Sequence, residues 1–370
     1  MKRKIIVSVI NDLATDQRVR KVCEALHELD YEVLLVGRRL KSSLPMPQTL
    51  YNTKRMRLIF TKGPLFYAFF NFRLFWFLIF HRADALLAND LDTLLANTWA
   101  RKFKANCKLY YDSHEYFTGV PELIARPKVQ AIWKKIERKC IPRVDAMYTV
   151  NKSIAEMYQK EYNREVYVVR NISDFKGEIK LKSRAELGLP EDKFIAIMQG
   201  AGINVDRGAE EMVKAMEQLD DVVLLIVGDG DVVPQLKEEV RLKKLENKVI
   251  FKGKRPYLEM MEYTAASDLG VSLDKDSNVN YRFSLPNKIF DYIHAGIPLL
   301  VSDLVEVKRV VQENKVGIVL GEYSVESIVK TIAELKNDAE ALQKFRENTS
   351  SVKHVLNWQH EKKVLTEIYG

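Results

Sequence analysis

Twelve short runs rich in Val, Ile and Leu constrain this chain more than any other feature. In the first half they fall at 4–10, 32–38, 83–90, 108–114, 146–151 and 166–171. In the second they fall at 194–200, 222–230, 248–253, 269–276, 298–303 and 316–321. The runs are nearly continuous in apolar residues, and helical patterns separate them. A strand that is apolar on both faces must be covered on both, as a parallel strand between two helical layers is. The pattern predicts an α/β chain with two doubly wound parallel sheets of about six βα units each. At 370 residues the chain is also too long for one ordinary core. The break is expected in the polar stretch 172–193, which gives domains at 1–172 and 173–352. An amphipathic last segment, 353–370, carries Trp358 and is expected to dock back on the first domain.

Charge separates the halves. Residues 1–170 carry 30 Lys and Arg against 17 Asp and Glu, or +13; the other 200 carry 28 against 33, or −5; the sum is the net +8. An excess of this size points to an anionic surface for the first half. Residues 64–80, PLFYAFFNFRLFWFLIF, sharpen the choice, because nine of these 17 are aromatic. At ~1.5 Å per residue they span ~26 Å, slightly less than a bilayer, and a strand follows directly. We expect an interfacial helix, not a membrane span or a plain core helix. It would present Phe69, Phe72, Arg73 and Trp76 to an anionic membrane, helped by Lys54, Arg55, Arg57, Lys62 and Arg82. Nucleic acid is not expected, because the aromatics form one block instead of interleaving with cations along a groove. The chain begins MKRK and a strand-like run follows directly, so no signal peptide is expected. Cys23, Cys107 and Cys140 have neither metal nor disulfide spacing. The expected location is the cytoplasm, peripheral on the inner face of the cell membrane.

In open parallel sheets, ligands bind where connections leave the carboxyl ends of strands. The first such end reads NDLATDQRVRK. It offers Asp12, Arg18 and Arg20 as contacts and Thr15 or Asp16 as a helix cap, and it lacks the G-x-G-x-x-G of an NAD site. A capped helix with solvated charges is the plain alternative. The fourth end, YYDSHEYF, brings His114 beside Glu115 and Asp112, either of which can fix the tautomer of a neutral imidazole. The seventh, QGAGINVDRGAEEMVKAM, has Gly200 and Gly202 for close backbone approach and Arg207 at a helix start, an arrangement suited to phosphate. The eighth, VGDGD, turns on Gly228 and Gly230. Further on, RFSLPNKIFDYIHAGIPLL (282–300) reads as a helix burying Ile289, Phe290 and Ile293 under a polar stripe of Asn287, Lys288 and Asp291. The pairs DLD (90–92) and DKD (274–276) have no second ligand cluster nearby in sequence, so no metal is expected.

These segments, in this order, resemble glycosyltransferase family 4. The most specific is LPNKIFDYIHAGIPLLVSD, similar to the family's recurrent donor-site signature; NDLATDQRVRKVCEAL, DLDTLLA, YDSHEYF, GAGINVDRGAEEMVKAM and VGDGD are similar to other family segments. The resemblance implies the GT-B fold, two Rossmann-like domains facing across a cleft. It implies a retaining, metal-independent, hexosyltransferase-type enzyme without a cofactor. The donor would be a nucleotide sugar, UDP-sugar being commonest, and the acceptor a lipid-linked or glycan molecule in cell-surface polysaccharide or glycoconjugate synthesis. Arg207 would contact the diphosphate, Asp291 the ribose hydroxyls, and His114 the donor sugar or reacting centre. Lys288 would add positive charge, Gly200, Gly202, Gly228, Gly230 and Asn287 would line the donor site, and Asp12, Arg18 and Glu115 would lie on the acceptor side. Two positions depart from the family: Phe283 stands where the first carboxylate of E-x7-E would fall, and Ala201 where a further arginine is frequent. A sugar-nucleotide epimerase of the same fold and a non-catalytic nucleotide- or glycan-binding module stay open as alternatives.

Overall fold

The computed structural model describes residues 2–14, 16–173, 179 and 181–370. Among them are seven strands in a first sheet: β1 (Arg3–Asp12), β2 (Tyr31–Arg39), β3 (Asn52–Arg57), β4 (Ala85–Asn89), β5 (Lys108–Ser113), β6 (Ala146–Thr149) and β7 (Tyr167–Val168). Six more form a second sheet: β8 (Phe194–Gly200), β9 (Val222–Gly228), β10 (Val249–Phe251), β11 (Leu269–Ser272), β12 (Leu299–Val301) and β13 (Gly317–Val319). The orders are β3-β2-β1-β4-β5-β6-β7 and β10-β9-β8-β11-β12-β13. The strands pair in parallel, and each sheet reverses its winding once, between β1 and β4 and between β8 and β11. Those reversals are the topological switch points at which doubly wound sheets take ligands. The chain divides into two compact units, Met1–Asn171 with Gln359–Gly370, and Ile172–Trp358.

The continuous apolar runs are explained by two-sided burial. In the second unit Ala196, Met198, Leu224 and Ile226 enter one core cluster, while Ile195, Ile197, Leu225 and Val227 enter the cluster on the opposite face. Side chains alternate across a strand, so both parities must be apolar when both faces are covered. β3 is the strand the sequence did not announce. Its residues, NTKRMR, are mostly exposed apart from buried Met56. It is the edge of its sheet, where one polar face and several cations are tolerated.

The polar stretch 172–193 is less of a linker than it reads. Leu187 and Leu189 enter the second unit's core. Arg184 pairs with Asp268 at 2.6 Å and donates to the carbonyls of Lys193 and Ala266. Residues 174–178 and 180 lie outside the described residues. The helix Trp358–Tyr369 closes the first unit. The Tyr369 carbonyl accepts from Arg3 and from the Tyr31 hydroxyl, and its ring lies 4.3 Å from that of Tyr110. Earlier in this helix Glu361 pairs with Arg170.

Candidate functional site

In the second unit the structure gathers Arg207 and Lys288 around one buried carboxylate. Arg207 Nη1 is 2.6 Å from Asp274 Oδ2, and Lys288 Nζ is 3.6 Å from Asp274 Oδ1. Asp274 itself is 2% exposed. The Arg207 guanidinium also stands over the Tyr281 ring, 4.0 Å from its centroid. Burial works against the Arg207 charge, but Asp274 and Tyr281 more than offset it and hold its pKa above the ordinary value. Lys288 is held by its helix. Ile289, Phe290 and Ile293 are fully buried, and the Tyr292 hydroxyl donates to the carbonyls of Ile197 and Val271. The helix runs Lys288–Ala295, with Asn287 as its N-cap and Gly296 ending it in the left-handed region at φ 77°. A lysine in the first helical turn opposes the helix dipole. One carboxylate against two cations and a helix N-terminus leaves a net positive site, which an anion would complete.

Asp291 is not on an exposed stripe. It is 4% exposed, and its carboxylate accepts from the Tyr257 hydroxyl at 2.9 Å and from Gln199 Nε2 at 3.3 Å. Burial raises its pKa from the ordinary value, opposed by hydrogen bonds from Ser173, Tyr257 and Gln199. Asp291 shares a helical face with Asn287 and Lys288, four and three residues earlier, and it is buried there because Tyr257 and Gln199 cover it.

The glycines divide into two kinds. Gly228 pairs with Gly200 across β9 and β8, at φ 150° and 126° respectively, and a Cβ on Gly228 would stand 1.8 Å from the Gly200 carbonyl oxygen. A Cβ on Gly230 would stand 2.1 Å from the Ile203 carbonyl oxygen. Both are therefore required by neighbouring backbone rather than by a ligand. A Cβ on Gly202 would meet no atom within 4 Å, so this glycine faces open space that a ligand can enter. The helix after Arg207 is only Ala209–Ala215, and its first turn carries Glu210 and Glu211. Its dipole is already answered by carboxylates, so anion affinity rests on Arg207 and Lys288. Tyr281 was missed in the sequence, and Asp274 was weighed there only as half of the metal-like pair DKD and set aside, although its place just beyond the end of β11 satisfies the strand-end rule.

Phe283 caps the short helix Val279–Arg282, and the neighbouring Arg282 pairs with Asp276 at 3.0 Å.

In the first unit, His114 sits between two carboxylates. Nδ1 is 3.2 Å from Asp90 Oδ2, and Nε2 is 3.4 Å from Asp112 Oδ2 and 3.2 Å from Asn89 Oδ1. The backbone N–H of His114 donates to Asp90. Burial alone would lower the imidazole pKa, but Asp90 and Asp112 outweigh it and push the pKa up to about 9. The ring is an imidazolium at neutral pH, not the neutral ring expected from sequence, because its partners are anionic on both sides. Glu115 is exposed. Arg18 is 4% exposed and bidentate on Asp112, with Nη2 to Oδ1 at 2.7 Å and Nε to Oδ2 at 3.0 Å. Burial opposes the Asp112 charge, but Arg18 and His114 hold its carboxyl below the usual range. Arg18 is thereby spent on the fold. Asp12, at the end of β1, faces Arg55 at 3.6 Å; Arg20 lies 3.8 Å from Glu24; Asp16 caps its helix, and Thr15 lies outside the described residues.

A pH dependence follows. A folded pKa of about 9 against an ordinary 6.5 stabilises the fold fully below pH ~6.5, and that stabilisation is lost as pH rises through about 9. The wild type is expected to lose up to ~3 kcal/mol relative to His114→Asn across this window. Urea midpoints of both proteins, compared from pH 6 to pH 9, check it; parallel curves would refute it.

The aromatic block forms the helix Gly63–Phe80, long and apolar enough to cross a membrane by length and composition. Phe66, Phe70, Leu74 and Leu78 are buried at four-residue spacing, which fixes that stripe to the first unit. Asn71 bridges the Asp92 carbonyl and the Ala96 N–H of the adjacent helix Leu91–Arg101, at 2.7 and 3.2 Å. Only 22% of the helix is buried. Phe72 is 60% exposed and Trp76 44%, Arg73 is exposed, and Phe69 is half-buried, packed edge-on against Phe60. Among the described residues, no group of three or more His, Cys, Asp or Glu is placed to hold a metal ion.

Two family models match the chain. Glycosyltransferase Family 4 matches residues 16–175, and Glycosyl transferases group 1 matches residues 179–352. No curated protein matches at the sequence level. Solved structures match over nearly the whole chain. Sucrose-phosphate synthase from Thermosynechococcus elongatus is 16% identical at a TM-score of 0.79, covering 100% of this chain and 98% of its own. Anabaena HepE, solved with UDP-glucose, is 14% identical at a TM-score of 0.75, covering 99% and 98%. WaaG, a glycosyltransferase involved in lipopolysaccharide biosynthesis, is 14% identical at 0.73, covering 98% and 99%. At these identities the likeness establishes a shared GT-B fold.

Proposed function

We propose that this chain, which belongs to glycosyltransferase family 4, moves a hexose from a nucleoside diphosphate sugar, UDP-sugar first, to a lipid-linked or glycan acceptor. The transfer proceeds with retention and needs no metal. The observation that carries the reading is the hold of one buried carboxylate, Asp274, on both Arg207 and Lys288. As the bond from the anomeric carbon to the β-phosphate oxygen breaks, negative charge grows on that phosphate. Two cations fixed beforehand stabilise it without reorganising. The acceptor hydroxyl forms the new bond at the anomeric carbon on the face the diphosphate leaves. Its proton passes to the departing phosphate oxygen. Gly202 gives the diphosphate backbone access. The UDP-glucose in the HepE structure supports a UDP-sugar, and the lipopolysaccharide role of WaaG supports a lipid-linked acceptor. The exposed aromatic helix supports a peripheral place on the inner face of the cell membrane.

A thermal-shift screen of UDP-, GDP- and ADP-sugars tests the donor assignment. A ligand that binds only the folded protein stabilises it by ~2.7 kcal/mol at a hundred times its Kd. A UDP-sugar is expected to raise Tm, and no shift with any nucleotide sugar would overturn the reading. Lys288→Ala is expected to raise the donor KM ~10–100-fold, since it removes one charge-assisted contact. An unchanged KM, measured from initial rates, would remove Lys288 from the site.

A further inference from the structure

Beside the helix Gly63–Phe80, a concavity of 630 Å³ opens against the ends of β2 and β3. Arg39, Lys54, Arg57 and Arg73 line it together with the aromatic Trp76 and Phe80. No carboxylate lines it among the described residues. Arg39 and Arg57 are register partners on adjacent strands, both exposed, a like-charge juxtaposition that costs stability in an isolated sheet. Arg73 is drawn to the same place, where its Nη1 donates to the Arg57 carbonyl. A fifth cation, Arg55, is already answered by Asp12.

The apolar side has its own order. Trp76 and Phe80 stack at 5.8 Å between centroids, and Phe80 is 77% exposed. Cations concentrated at a point and flanked by exposed aromatics match a molecule that is anionic at one end and hydrocarbon at the other. A soluble phosphate would satisfy the cations and leave the aromatics in water. A neutral lipid would do the reverse.

We propose that this concavity binds the phosphate of an anionic glycerophospholipid in a membrane, with Trp76 and Phe80 in the adjoining acyl region. The inference rests on the membrane association proposed above and names the group recognised there. Cosedimentation of the full chain with phosphatidylcholine vesicles, with and without phosphatidylglycerol, tests it. Wild type is expected on the anionic vesicles. The double variant Lys54→Gln, Arg57→Gln should bind them about tenfold or more weakly at unchanged Tm. The control Lys135→Gln, Lys139→Gln removes the same charge from exposed positions that do not line the concavity, and should lose distinctly less. Equal loss in both pairs, or none in the first, overturns the inference and leaves membrane association standing. No binding of wild type to either vesicle overturns both. Binding of free glycerol 3-phosphate without vesicles would assign the cations to a soluble phosphate and overturn the lipid. The nucleotide-sugar thermal shift is read separately, so failure of the donor reading is not confused with failure here.

Discussion

Arg207→Ala is expected to lower kcat by ~10²–10³-fold, the loss typical when a fixed donor to a developing anion is removed. The fold should survive, because the side chain is 25% exposed and the helix Ala209–Ala215 is anchored by buried Ala209, Met212 and Val213. Removing Arg207 leaves Asp274 facing Lys288 alone, so the site falls from one net positive charge to none. Arg207→Lys should recover little. A lysine cannot both reach Asp274 and keep a planar face over Tyr281, 4.0 Å away in the wild type. Initial rates at saturating donor decide the matter. A kcat within twofold of wild type would mean that Arg207 supports only the fold.

Gly228→Ala is expected to prevent the second unit from folding, at a cost of more than about 4 kcal/mol. Its φ of 150° disfavours any side chain, and the new Cβ would fall inside the Gly200 carbonyl oxygen at 1.8 Å. β8 and β9 pair at these two residues, so relief would require opening the sheet. Gly202→Ala is the informative partner. It meets no atom within 4 Å and should fold with wild-type Tm, while a donor that uses its backbone should show a raised KM. Circular dichroism for the first and donor titration for the second separate the two classes of glycine. A soluble, cooperative Gly228→Ala protein would refute the steric account.

The parallel strands were legible because two-sided burial writes itself into every residue of a strand. Ile195 and Ala196 serve opposite cores, and neither can be polar. β3 was illegible for the converse reason, since an edge strand buries only Met56 and its cations look like a loop. Arg207, Lys288 and Gly202 were legible as strand-end and helix-start residues. Asp274 was not, because its importance lies in partners 67 and 14 positions away that only the fold brings together. Arg18 failed similarly: its mate Asp112 is 94 residues distant, and nothing local distinguishes a buried ion pair from a solvated arginine. The burial of Asp291 was illegible too, since Tyr257 and Gln199, which cover it, lie 34 and 92 positions away.

The last helix has a consequence for biosynthesis. Tyr369 plugs a nest of tyrosines in the first unit and is 1% exposed, yet all of Ile172–Trp358 is made before it. At ~5–20 residues per second, the first unit spends on the order of ten seconds or more on the ribosome with its sheet assembled and that nest unfilled. During that interval Tyr31, Tyr110 and Tyr148 lack the ring that covers them. The second unit, by contrast, is contiguous and has all of its residues earlier. The unit begun first is therefore the one completed last, and a nascent chain arrested before the final helix should carry a finished second unit beside an unsealed first.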